Sequence, residues 1–227
     1  MKVRPLLVTG ALVVLGMLAI SAWAWPQIPA DALVPVHWGA DGTADGFASK
    51  TWGLLGLPLI TTGLTLLLAF LPRIEPRRQN LARSATAYVG IGIATLVFML
   101  GVHVVAVMAA LEREVDMGLM AVIGISGLFL VVGNYLRKTR SSWFFGIRTP
   151  WTLSSERSWD RTHRAGSVVF VAIGVATIAT ALVAGPVVGI WVLLGGVGLG
   201  SVGLVAYSYV VWRDDPNRRT METRTVE

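Results

Sequence analysis

Five stretches of this sequence carry no Asp, Glu, Lys or Arg: 5–30, 51–72, 84–111, 117–136 and 165–212. A transmembrane helix needs about 20 predominantly apolar residues, at 1.5 Å of rise each, to cross a hydrocarbon core of about 30 Å. The first four runs, of 26, 22, 28 and 20 residues, supply one helix each. The fifth, of 48 residues, would make a helix of about 72 Å, far longer than the core is thick. Gly185-Pro186 lies near its middle, where Pro breaks the hydrogen-bond ladder and Gly relaxes the backbone, so this run reads as a tight hairpin of two helices. The sequence therefore predicts an all-α integral membrane protein, a bundle of six transmembrane helices. Composition agrees: 54% of residues are hydrophobic and 14% charged, against about 25% charged in soluble domains. A cytosolic enzyme, a secreted disulfide scaffold and a disordered regulator are thereby excluded. The chain has no cysteine, which removes thiolate metal sites and cysteine nucleophiles.

The basic residues set the expected orientation. With the N-terminus inside, the inner segments hold Lys2 and Arg4; Arg73, Arg77, Arg78 and Arg83; the Lys and Arg residues from Arg137 to Arg164; and Arg213, Arg218, Arg219 and Arg224. That is 17 of the 19 Lys and Arg residues, leaving Lys50 and Arg113 outside. The positive-inside rule thus predicts an N-in/C-in topology, and an odd number of helices would scramble it. The net charge of +6 then reflects contact with anionic lipid, with no direct nucleic-acid binding implied. Tryptophans suggest two interfacial belts, Trp23, Trp25, Trp38 and Trp52 outside and Trp143, Trp151, Trp159 and Trp212 inside. The first helix also resembles a signal peptide, with Ala22-Trp23-Ala24 as a cleavage site. Its neutral run is long for that role, and residue 25 is outside either way.

No charged side chain falls within the predicted spans, which argues against an ion-coupled transporter. His103 is the one ionisable group at membrane depth and reads as a packed, hydrogen-bonded histidine. Gly185, Gly189, Gly196, Gly200 and Gly203 fall on one face of the sixth helix, for close helix packing within the chain or for a homodimer seam.

Two connections exceed the 2–8 residues that bundles usually need. The outer one, between the first and second helices, runs from about Trp25 to Thr51; the inner one, between the fourth and fifth, from about Arg137 to His163. In the outer segment Val34 to Trp38 suits a short strand, and Asp41-Gly42 and Asp45-Gly46 are turn dipeptides. His37, Asp41 and Asp45 match neither an EF-hand nor a two-histidine zinc pattern, so no metal is expected. In the inner segment Ser154 can cap a helix whose first turn holds Glu156. Ser155, Trp159 and His163 then share a face and Asp160 pairs with Arg164, which predicts an amphipathic helix on the inner interface before the fifth span. Arg148, in the neutral run Gly146-Ile-Arg-Thr-Pro-Trp151, suits recognition of a phosphate, a carboxylate or a chain terminus. His163 with Glu156 or Asp160 is the one acid–base pairing on offer, yet Glu156 and His163 stand two turns apart. No HExxH, GxSxG or P-loop is present.

Gly146-Ile-Arg-Thr-Pro-Trp-Thr-Leu-Ser-Ser-Glu-Arg-Ser-Trp159, with Thr162-His163 behind it and Gly133-Asn134 ahead, closely resembles the signature of the SdpI family of bacterial membrane proteins. The stretch from Ile28 to Lys50, with Pro35-Val36-His37, Gly42 and Asp45-Gly46, looks like the DUF1648 module often found ahead of it. Trp38-Gly39 departs from the aromatic-Asn pair expected there. The resemblance implies two modules, 1–72 and 73–227, in the bacterial cytoplasmic membrane. It implies a non-enzymatic protein without cofactors that resists a membrane-active peptide toxin on the outer face. It also implies signalling to a small cytosolic repressor on the inner face, for which the short basic tail and the second inner loop give no independent sign. Expected binding residues are Asn134, Gly146, Arg148, Thr149, Pro150, Trp151, Trp159 and His163 in the inner motif, and Pro35, His37, Asp45 and Lys50 in the outer segment. The residues leave a second reading open: a carrier or binder of a lipid or small molecule, with Asn134, Arg148, Trp159 and His163 as its polar cluster.

Overall fold

The computed structural model describes residues 1–218; Arg219 and Arg224 of the basic count lie outside them. Six helices in it are long and apolar enough to cross a membrane: α1 (Arg4–Ala24), α2 (Lys50–Ile74), α4 (Ala85–Ala110), α5 (Met117–Leu136), α7 (Glu156–Ala184) and α8 (Pro186–Arg213). Two short helices, α3 (Arg78–Arg83) and α6 (Pro150–Ser154), lie at the end of the bundle where the basic residues gather, called here the basic face. Gly185, at φ +92°, ends α7, and Pro186 opens α8, where its missing N–H costs nothing.

The all-α expectation is incomplete. At the opposite end, β1 (Leu33–Trp38) and β2 (Ala44–Ser49) form an antiparallel hairpin, irregular around Val36. Backbone that leaves the hydrocarbon region must find partners, and after the short 3-10 turn Trp25–Gln27 the chain finds them in this two-stranded ladder. Val34 is buried and seats on Gly53 of α2, where a Cβ would come within 2.6 Å of it. With Ala24, Ile28, Leu54 and Val107 it forms a small core beneath the hairpin. The Ser49 side chain caps α2, and the hairpin tip at Gly42 lies against Gly118 at the start of α5.

Two packing groups make the bundle. In the first, α1, α2 and α4 meet around Leu6, Val13, Met17, Tyr88 and Leu96. Prolines inside α2 explain its polar contacts. Pro58 and Pro72 cannot donate to the carbonyls of Leu54 and Leu68, four residues earlier, and an orphaned carbonyl in an apolar medium is costly. Neighbouring helices supply the missing donors: Ser21 Oγ donates to Leu54 O at 2.7 Å, and Tyr88 Oη to Leu68 O at 2.6 Å. His103, fully buried, completes the first arrangement. Its Nε2 lies 3.0 Å from Ser21 Oγ and 3.1 Å from Met17 O. Because the Ser21 proton is spent on Leu54, Nε2 carries the ring proton.

In the second group α5 and α8 pack on α7 through close backbone approaches. Ser167 Oγ donates to Gly133 O at 2.5 Å, and a Cβ on Gly133 would lie 2.8 Å from Val171. The glycine stripe of α8 is partly accounted for in this way. Gly189 faces Ala181, Gly196 faces Ile173 and Gly200 faces Val169, whereas Gly203 has open space around it.

Candidate functional site on the basic face

The segment between α5 and α7 is a folded plug over the basic ends of the helices. Its anchor is Glu75, which the sequence reading passed over. It is the residue just past α2, fully buried, and both carboxylate oxygens accept. Donors are the backbone N–H of Arg77 (2.9 Å), Trp143 (3.0 and 3.1 Å) and Phe144 (3.0 Å) and the hydroxyl of Ser142 (2.7 Å). Burial by itself would push this carboxyl up; the N–H of Trp143, the Ser142 hydroxyl and the other donors hold it below its ordinary value. Around it Arg77 bonds Ser141 Oγ and donates to Leu153 O (2.6 Å), and Asn80 donates to Ser141 O (3.0 Å). Ser84 Oγ accepts from Arg140 N (2.8 Å). Phe145 then inserts against the edge of Tyr88, with ring centroids 5.3 Å apart.

Beyond Phe145 the chain turns at Gly146, at φ +111°. A Cβ there would meet His163 Nε2 at 2.6 Å and the Trp159 ring at 2.8 Å. His163, on α7, accepts from Ile147 N at Nε2 (2.9 Å) and faces Trp159 O with Nδ1 (2.8 Å). The ring is therefore the neutral, Nδ1-protonated tautomer, because Nε2 must keep its lone pair for Ile147. Trp159 stacks on that ring at 4.0 Å and donates through Nε1 to Thr139 O at 3.2 Å. Both side chains are fully buried, so Trp159 belongs to no interfacial belt.

Thr149 and Thr152 close a reciprocal capping box on α6, with Pro150 in its first turn. The box is tied to α8 through Thr149 Oγ1 and Ser208 Oγ, 3.0 Å apart. Trp151 meets the edge of Tyr209, also on α8, at 5.2 Å. Ser155, at extended φ and ψ, separates α6 from α7 and caps α7 itself, while its hydroxyl donates to Asp215 Oδ2 at 2.5 Å. That bond, outweighing partial burial and helped by Asn217 N and the Arg157 and Arg218 charges, holds the Asp215 carboxyl below its ordinary value.

Three expectations for this segment are corrected. The helix cap is Ser155, not Ser154, and the helix it starts at Glu156 runs unbroken into the fifth span as α7. Asp160 pairs with Arg140 at 3.6 Å in place of Arg164; the plug returns a nearer guanidinium than the helix does. The polar cluster of Asn134, Arg148, Trp159 and His163 does not converge. Trp159 and His163 are stacked in the interior, Arg148 is exposed and donates to Trp143 O at 3.0 Å, and Asn134 is exposed on α5 beyond the buried Gly133. A separate cavity of about 490 Å³ opens on this face, lined by Arg77, Asn80, Ser154, Arg157, Asp215 and Asn217 among others.

The hairpin residues divide similarly. Lys50 is buried, with Nζ donating to Ile28 O at 2.6 Å and lying over the Trp25 ring, so it serves the hairpin's own anchorage. His37 Nδ1 and Asp45 Oδ1 stand 2.5 Å apart in solvent, across the irregular ladder, while Pro35 pairs with Phe47. Asp41 accepts from the backbone and hydroxyl of Thr43, which lowers its carboxyl. Among the described residues no group of three or more His, Asp or Glu gathers to hold a metal.

Comparison with known proteins matches two parts of the chain. Residues 138–209 match the model of the SdpI/YfhL protein family, and residues 12–62 match a domain of unknown function, DUF1648. Immunity protein SdpI of Bacillus subtilis (strain 168) is 26% identical over 142 residues, covering 62% of this chain and 65% of that protein. This chain thus matches just under two thirds of that relative's length. No solved structure matches the chain. The plug and α7 lie in the first match and the hairpin in the second, so the chain is a multi-pass bacterial membrane protein that is similar over one stretch to DUF1648 and over another to the SdpI/YfhL family.

Proposed function

We propose that this chain is a non-catalytic immunity protein of the bacterial cell membrane that protects against a membrane-active peptide toxin. The observation that carries this reading is its likeness to Immunity protein SdpI. The hairpin supports it on one side: Leu33, Val36 and Phe47 are exposed there, an apolar surface fit to meet an amphipathic peptide. On the basic face the plug leaves Arg148, Phe144 and Pro150 exposed around a fixed backbone, a surface suited to a cytosolic protein such as a repressor. We place the basic face in the cytoplasm, on the strength of the Lys and Arg distribution.

The orientation has a direct test, because the chain lacks cysteine. Phe47→Cys in intact cells should react with a membrane-impermeant maleimide, and Arg161→Cys only after permeabilisation. The reverse pattern would invert the topology. Function is tested by survival of toxin-sensitive cells expressing the chain or Arg148→Ala at matched membrane abundance. Protection by the wild type and its loss in the variant are expected, since Arg148 is exposed and its removal leaves the plug's buried bonds intact. Protection by both would remove Arg148 from the mechanism. Protection by neither would favour a binder or carrier of a small polar ligand, a reading that the cavity beside Arg77 and Arg157 supports.

A further inference from the structure

A second hollow lies on the flank of the bundle, between α1 and α2, and has a volume of about 480 Å³. Val3 and Leu7 form one wall, Leu66, Leu67 and Phe70 the other, and Arg73 stands at its end on the basic face. The apolar walls are exposed to the lipid side of the bundle, continuous with the rest of the membrane-facing surface. From Leu66 to Arg73 the groove follows α2 for about 10 Å, the length of the upper part of an acyl chain.

The charge at its mouth has no counter-ion among the described residues. Arg73 is exposed and forms no ion pair among the described residues. The nearest acid in sequence, Glu75, is turned inward and committed to the plug. The carbonyl of Arg73, at the end of the helix, is already satisfied by Arg78 Nη2 at 2.6 Å, so the guanidinium is not needed there. Lys2 and Arg4 flank Val3 on the opposite wall, adding positive charge at the same level.

We propose that this groove is a binding site for one anionic phospholipid, with an acyl chain between α1 and α2 and its phosphate on Arg73. With the basic face in the cytoplasm, the lipid belongs to the inner leaflet. Lipid tails are as apolar as the leucines that line the groove, so the walls place the lipid without selecting it. Selection comes from the headgroup. A guanidinium offers paired donors to a phosphodiester, and each basic group at a membrane surface favours an anionic over a zwitterionic lipid by about five-fold.

The test is lipid titration of the delipidated full-length protein, followed by native mass spectrometry, with phosphatidylglycerol and phosphatidylcholine of the same chains. The wild type should retain phosphatidylglycerol at least about five-fold better. Arg73→Gln should abolish most of that preference, and Arg161→Gln, an exposed arginine of α7 away from the groove, should keep it. Thermal unfolding of each variant confirms that it is folded. Equal retention of the two lipids by the wild type would overturn the site. So would a preference unchanged in Arg73→Gln, or one lost equally in Arg161→Gln, which would mean that overall charge alone attracts the lipid.

Discussion

Replacing Gly146 by alanine is expected to cost about 3 kcal/mol of stability and to unseat the plug from α7. Two independent penalties add at this position. The backbone sits at φ +111°, where a side chain is strained. The new Cβ would also press on His163 Nε2 and the Trp159 ring from under 3 Å, and both side chains are fully buried with nowhere to move. Pushing His163 away breaks its bond with Ile147 N, the link by which the plug is fixed to the helix. Gly127→Ala is the control, since a Cβ there meets nothing within 4 Å; in a helix it should be neutral or slightly stabilising. Thermal unfolding of the purified protein in detergent reads both. Equal losses in the two variants would show that the fit around Gly146 is unimportant.

Glu75→Ala is expected to destabilise the protein by a comparable amount, about 3 kcal/mol, by removing the shared acceptor of four donors. Glu75→Gln keeps one acceptor oxygen without the charge and should lose about half as much. The pH dependence is the sharper signature. The donors hold the folded carboxyl below its ordinary value, so its contribution is complete above that ordinary value. It is lost as pH falls through the lower, folded value. The thermal midpoint of the wild type should therefore drop in acid more steeply than that of Glu75→Gln, and the difference between the two curves isolates this carboxylate from Asp215 and Asp41, which shift in the same direction. Parallel acid limbs would remove Glu75 as the anchor.

These two residues also give α2 its position in the architecture. At one end it carries the hairpin, through Gly53, Val34 and the Ser49 cap. At the other, Glu75 holds the residues just ahead of the Gly146 turn. A single helix thus links the hairpin to the plug, and any displacement of the hairpin that moves α2 bears directly on the plug.

Six spans and the hairpin turn at Gly185-Pro186 were legible in the sequence, as was a strand at Val34–Trp38. Membrane thickness and the exclusion of charge act on consecutive residues, so a one-dimensional scan finds them. The inner motif was legible as a pattern, but the contacts of its residues were not. Trp159 and His163, expected among the binding residues of the motif, form a buried stack, and Lys50, expected to bind in the outer segment, braces the 3-10 turn. Glu75 had a signal that went unused: it is the lone acid among the arginines between α2 and α4.

The sequence by itself determined how many times the chain crosses a membrane and which ends carry its positive charge. Both follow from the solvation of single residues. Only the tertiary structure decided which donors reach the carbonyls orphaned by Pro58 and Pro72, and which backbone atoms surround Glu75. The partners of Glu75 in the plug lie 67 to 69 residues away. Hydrogen bonding in an apolar medium must be satisfied by whatever the fold brings near, and no local rule names those partners in advance.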